Sequence, residues 1–335
     1  MTASTSLQAG TASKDVPFLL RFRNIGVFAV LFILVIGAAI FTPKHTFIGE
    51  ANITTLLALG SEFGVIALGV GMLMVAGEFD LSVGSVLVFC AFIYVVVLEA
   101  VGNPFLSAVV TLICGALLGA LNGIIVVRGR IVSFVATLGA MLSWRGLSEI
   151  LSGGVVRTVP LKPESAFVQL LTGKIGGVLP AQFIWFVFLA IIFYFVLNRG
   201  RFGNWIYSTG DNVHAARAMG IRTGTVKIIC FTIVGALSAF AALLQTTRLT
   251  AFSVHMGEGW ELRAVAAAVV GGVSLQGGRG SMVGIFLGAL IIIVVDNMIS
   301  QLRLAYEWTF IVFGIVIMAS VLLDLWIERR IQRVS

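Results

Sequence analysis

Two carboxylates and two hydroxyl side chains interrupt an apolar stretch in the run Gly77-Glu78-Phe79-Asp80-Leu81-Ser82-Val83-Gly84-Ser85, which is otherwise hydrophobic almost without break from 63 to 98. Gly77 and Gly84 permit a tight turn. Asp80 and Ser82 are of the types that cap a following helix, and Glu78 adds a second carboxylate. Two arrangements fit: a plain helix-loop-helix turn with an aspartate cap, or a broken helix whose polar groups are shielded from hydrocarbon by protein or water. A second run, AVVGGVSLQGGRGS at 268–281, repeats the pattern of apolar run, glycine-rich break and apolar run, and carries Ser274 and Gln276 in the break. Breaks in corresponding places of two halves point to a central site built from a duplicated unit.

A third polar segment, RGRFGNWIYSTGDNVHAARAMGIRTGT at 199–225, is basic and too short for a domain. Its core, Asn212-Val213-His214-Ala215-Ala216-Arg217-Ala218-Met219-Gly220, reads as a short helix ended by a glycine and suited to lie along a membrane face. Other chemistry is missing. No G-x-x-x-x-G-K-[ST] loop occurs, since Gly173-Lys174 is followed by Ile175, so the chain does not itself bind and split ATP in that manner. The glycine-rich GGRGS at 277–281 does not follow a soluble strand. His45, His214 and His255 lie in separate loops, so no catalytic residue, metal ligand or cofactor is assigned from spacing. Arg145 and Glu149, four apart, can neutralise each other on one helix, while Glu261 and Arg263, two apart, can do so only through a turn. No chain of carboxylates and histidines threads the apolar runs, so proton coupling has no obvious relay.

The elements that position these residues follow from solvent. Of the 335 residues 59% are hydrophobic and only 11% charged, with a mean hydropathy of +1.07, whereas a soluble globule needs about 25% charged residues to cover its surface. The lipid bilayer must cover most of the chain. Cys90, Cys114 and Cys230 sit in apolar runs without paired spacing and read as reduced core residues. About ten stretches are long enough to cross hydrocarbon as helices: 25–42, 52–76, 83–101, 104–127, 131–152, 181–198, 226–248, 260–276, 281–299 and 306–326. An even number puts both termini on one side. With both termini cytoplasmic, 14 of the 22 Lys and Arg residues face the cytoplasm and 6 the exterior, as the positive-inside rule requires. The net charge of +7 then reflects cytoplasmic basic residues rather than a nucleic-acid partner. The expected fold class is therefore all-α and polytopic, with broken or re-entrant segments. A cytoplasmic tail at 1–24, a transmembrane domain at 25–326 with an external loop at 153–180 and a cytoplasmic loop at 199–225, and a tail at 327–335 complete the division. The N-terminal stretch lacks the apolar core and cleavage site of a signal peptide.

The runs GEFDLSVGS (77–85), IVSFVATLGAMLSWRGLSEILSGG (131–154), GDNVHAARAMGI (210–221) and WELRAVAAAVVGGVSLQGGRGSMVGIFLGALI (260–291) together resemble, in order and spacing, the permease subunits of bacterial ribose/galactoside-type ABC importers. The resemblance covers roughly 50 to 325. It implies an inner-membrane permease for a monosaccharide or related polyol, not itself an enzyme. Its implied partners are two cytoplasmic ATPase subunits, a second permease subunit, identical or homologous, and a periplasmic sugar-binding protein. It also implies that the segment holding Asn212, His214, Ala215, Ala216, Arg217 and Gly220 is the coupling helix that docks on the ATPase. Here His214 replaces the glutamate many importers carry before the two alanines, and Glu78 replaces the second of two glycines. Glu78, Asp80, Ser82, Ser274 and Gln276 are the candidate residues along the translocation path. The alternative is a stand-alone secondary carrier or facilitator, which needs no docking helix.

Overall fold

The computed structural model describes residues 23–305, 307–315, 318, 319 and 322. The expected tail at 1–24, apart from its last two residues, which begin the first helix, the tail at 327–335 and part of the last expected span, 306–326, lie outside them. The chain runs α1 (Arg23–Phe41), a 3-10 turn (Pro43–Ile48), α2 (Glu50–Val75), α3 (Val83–Val101), α4 (Pro104–Gly129), α5 (Ser133–Ser152), β1 (Arg157–Thr158), α6 (Ala166–Thr172), β2 (Lys174–Ile175), β3 (Leu179–Pro180), α7 (Ala181–Asn198), α8 (Arg201–Asp211), α9 (Val213–Ala218), α10 (Thr223–Leu249), β4 (Ala251–Phe252), α11 (Trp260–Val270) and α12 (Met282–Gln301). A further helical stretch covers 308–315.

From Phe63 to Val75 helix α2 is apolar on every side, and a helix of that kind belongs in the interior; from Gly60 to Val75 every residue is buried, Glu62 among them in an ion pair with Arg248 of α10. Helices α7, α10, α11 and α12 pack around it, and α3 and α4 pack in turn on α10. Among them α4 and α10 pack most extensively, because Gly115 and Gly119 on α4 face Gly235 on α10 so closely that an added methyl on any of the three would overlap the opposing backbone. Small residues at four-residue spacing let membrane helices approach in this way. Asn103 starts α4 by accepting from the amides of Phe105 and Leu106 at 3.0 and 3.2 Å, with Pro104 in the first turn, the residue types suited to those positions.

Six described helices, α2, α3, α4, α7, α10 and α12, are long and apolar enough to cross a membrane, and Ile25–Phe41 is a shorter apolar helix. The expected span at 260–276 is different: its helix stops at Val270 after 11 residues, which at 1.5 Å per residue reaches only about half of a ~30 Å hydrocarbon core. The loop at 153–180 is folded, holding β1, α6 and the hairpin β2–β3, and β1 pairs antiparallel with β4, Arg157 opposite Phe252.

Candidate functional site

The two glycine-rich breaks end their incoming helices in the same way. After α2, the amide of Gly77 donates to the Met74 carbonyl and that of Glu78 to Leu73; after α11, Gly272 donates to Val269 and Val273 to Ala268. This is the Schellman arrangement, whose glycine must adopt a left-handed conformation, and φ is +82° at Gly77 and +83° at Gly272. The breaks also touch. The amide of Gly278 donates to the Val75 carbonyl at 2.9 Å, and a methyl on Gly277 would lie 2.7 Å from the Cα of Gly77. Helix α8 closes the junction from outside: Gly210 sits against the Val75 carbonyl and the Gly278 amide with no room for a side chain, and the Tyr207 hydroxyl donates to the Gly280 carbonyl at 3.0 Å.

Around this junction the sequence candidates separate. Asp80 is 1% exposed, and its Oδ1 accepts from both the amide and the hydroxyl of Ser82, at 2.8 and 2.6 Å. The Ser82 oxygen in turn accepts from Asn122 Nδ2 of α4 at 2.8 Å. Ser82 makes no side-chain cap bond to α3, so the polar set stitches the break to α4 instead of capping the next helix. Glu78 forms an ion pair with Lys227 of α10. The break is held to α5 by its amides, since Phe79 N donates to Ser133 Oγ and Leu81 N to Thr137 Oγ1. In the second break Ser274 Oγ accepts from the amide of Gln276 at 3.2 Å, and Gln276 is exposed. Asp80→Leu should sharply reduce the yield of folded permease, because each buried donor left without a partner costs about 1–3 kcal/mol. Asp80→Asn keeps the acceptor and should largely restore it. Monodisperse protein recovered from membranes is the measurement, and equal recovery of both variants would mean that the carboxylate holds nothing.

Helix α9 follows α8 directly. Asn212 caps it, its side-chain oxygen accepting from the amides of His214 and Ala215 at 3.0 Å each. Gly220 ends it at φ +84°, and Arg217 Nε donates to Thr223 Oγ1 at 2.9 Å. The two alanines face opposite ways. Ala216 is 2% exposed, whereas His214, Ala215 and Arg217 are exposed and Met219 is 78% exposed.

Three placements escaped the sequence. Arg145 does not pair with Glu149; it donates to the carbonyls of Val254 and Met256, the latter at 3.4 Å. Arg263 pairs not with Glu261 but with Asp296 of α12, at 2.7 Å. The segment 253–259 dives along α3. The Phe252 ring lies 5.7 Å from that of Phe92, yet Gly257 already packs against Gly84 and Leu87, so between them the chain descends about eight helical residues, roughly 12 Å. This loop explains the short α11, which starts partway down α3. An exposed hydrogen bond between His255 Nδ1 and Glu258 Oε2, at 3.2 Å, projects from it. The glycines and polar residues of SVHMGEGWEL at 253–262 were the available signal.

Apolar helices with paired breaks, a loop running along α3 and a short capped helix directly after α8 define a multi-pass membrane permease. The family model described as "Branched-chain amino acid transport system / permease component" matches residues 52–321, and the chain belongs to that family. It is 35% identical over 317 residues to the ribose import permease protein RbsC of Bacillus subtilis (strain 168), covering 95% of this chain and 97% of that one. It is 33% identical over 298 residues to the ribose import permease protein RbsC of Escherichia coli (strain K12), covering 88% and 92%. To the autoinducer 2 import system permease protein LsrC of Photorhabdus luminescens it is 30% identical over 316 residues, covering 93% of each. These relatives are transport components, and their cargoes differ while the permease role is common to them.

Proposed function

We propose that this chain is the permease subunit of an ATP-driven importer in the bacterial inner membrane, forming the path for a monosaccharide or related polyol delivered by a periplasmic binding protein. One observation carries the reading: α8, which leads straight into α9, is packed through Gly210 against the point where both breaks meet. A push on α9 therefore reaches two interrupted helices at once. A stand-alone carrier has no use for such a linkage. The relatives named for ribose and autoinducer 2 import support a sugar-like cargo.

In this reading the chain crosses the membrane about ten times, with α11 and its break forming a crossing together, and both termini are cytoplasmic. The outer surface of α5, where Leu142 and Ile150 are exposed and Gly139 and Gly146 have open space, suits a second permease copy. Glu78, Asp80, Ser82, Ser274 and Gln276 act at the junction that transmits the stroke, and Asn212 to Gly220 forms the ATPase-docking helix. Orientation is tested by single cysteines. Ser208→Cys should label from the cytoplasm and Ser165→Cys from the exterior, and labelling of both from the exterior would overturn the topology.

A further inference from the structure

A crevice of about 940 Å³ lies between the first half of α2, the start of α11 and the last turns of α12, bordered at one end by the 3-10 turn. Its walls are chemically mixed. Phe63 and Trp260 meet edge to face at 6.0 Å and give it an aromatic surface. Asn52 and Asn297 exchange hydrogen bonds at 3.0 and 2.9 Å, and Gln301 donates to Asn52. Asp296 pairs with Arg263 through one oxygen, while its other oxygen, Oδ1, is buried and accepts no hydrogen bond.

We infer that this crevice is a binding site for one neutral polyol, a monosaccharide-sized ligand held by the aromatic surface of Trp260 and the carboxylate of Asp296. The inference rests on the reading of the chain as an importer for such cargo and goes beyond it by assigning the permease a ligand site of its own. Charge selects the class: Arg263 and Asp296 cancel, so neither an anion nor a cation gains a net partner from that pair, while the Asp296 side chain, 28% exposed, can still accept from a hydroxyl. Amides offer both donors and acceptors to a ligand that has both. The ring of Trp260 supplies a rigid apolar face for the C–H side of a sugar. The size matches small-molecule sites, which occupy about 300–1,000 Å³, and leaves room for water beside a single sugar.

The test uses the assembled transporter in membranes with Ser300→Cys, a position on the crevice wall, alkylated by a membrane-impermeant maleimide applied from outside. Neutral pentoses, hexoses and inositol are added in turn, and uptake of the same compounds is measured in the same membranes. At least one should slow alkylation by about fivefold or more, equivalent to ~1 kcal/mol, and Trp260→Leu or Gln301→Ala in the same background should weaken that protection. Trp260→Phe should retain part of it. Import without any protection overturns the site and leaves the importer reading standing. Protection without ATP-dependent import keeps the site and overturns the importer reading. Alkylation that responds only to removal of lipid means that an acyl chain fills the crevice, which also overturns the site.

Discussion

Gly210→Val abolishes transport, and Gly210→Ala impairs it, in uptake assays on membranes holding normal amounts of the protein. At Gly210 even a methyl overlaps the Val75 carbonyl and lies 2.5 Å from the Gly278 amide, and these two groups make the hydrogen bond joining the breaks. Backbone cannot give way as a flexible side chain can, so α8 must move off the junction. Overpacking of this kind costs about 1–3 kcal/mol, and displacement of the element that transmits the stroke should lower uptake about a hundredfold, equivalent to ~2.7 kcal/mol. Gly26→Ala on α1 is the control, since a methyl there meets nothing within 4 Å, and it should transport normally. Normal uptake by Gly210→Val would show that the contact between α8 and the breaks transmits nothing.

Ala215→Glu leaves the permease folded and inserted but eliminates co-purification with its ATPase and, with it, uptake. Ala215 is exposed on α9, so the new carboxylate costs the permease little by itself and acts on the face where the proposed function has the ATPase dock. Ala216→Glu behaves differently. The resemblance implies that the ATPase docks on the segment holding both alanines, but Ala216 is 2% exposed, packed inside this chain. A glutamate there buries a charge without a partner, which costs several kcal/mol, and the variant should be lost before any docking can be measured. Gly220→Val meets no steric obstacle but must hold φ at +84°, a strain of about 1 kcal/mol or more, and should loosen the end of α9 with a partial loss of coupling. Full co-purification and normal uptake with Ala215→Glu would place docking elsewhere.

What could be read in advance was local. Long apolar runs give helices wherever the chain is, because hydrocarbon offers the backbone no other partner, and the observed bounds of α3 match the expected 83–101. Glycines and caps are similarly self-contained. Asn212 and Gly220 bound α9 by bonds to residues two to four positions away, and Gly77 turns the chain by a motif that closes within six residues.

Spacing misled wherever partners are distant. Arg145 has Glu149 one turn away but reaches carbonyls 109 and 111 residues further on, and Arg263 passes over Glu261 for Asp296. The 260–276 stretch has the composition of a span, but its incoming loop already enters beside α3, so only half a span remains to be covered. The burial of Ala216, the wedge at Gly210 and the joining of the two breaks depend on which surfaces meet. Composition and glycine placement by themselves determined a membrane-embedded helical protein with two broken segments and a short capped helix. Tertiary structure alone decided that the two breaks meet and that α8, which leads into the short helix, packs on their junction, because such contacts join residues far apart in the chain, Tyr207 and Gly280 being 73 positions apart, and leave no periodic trace in either segment.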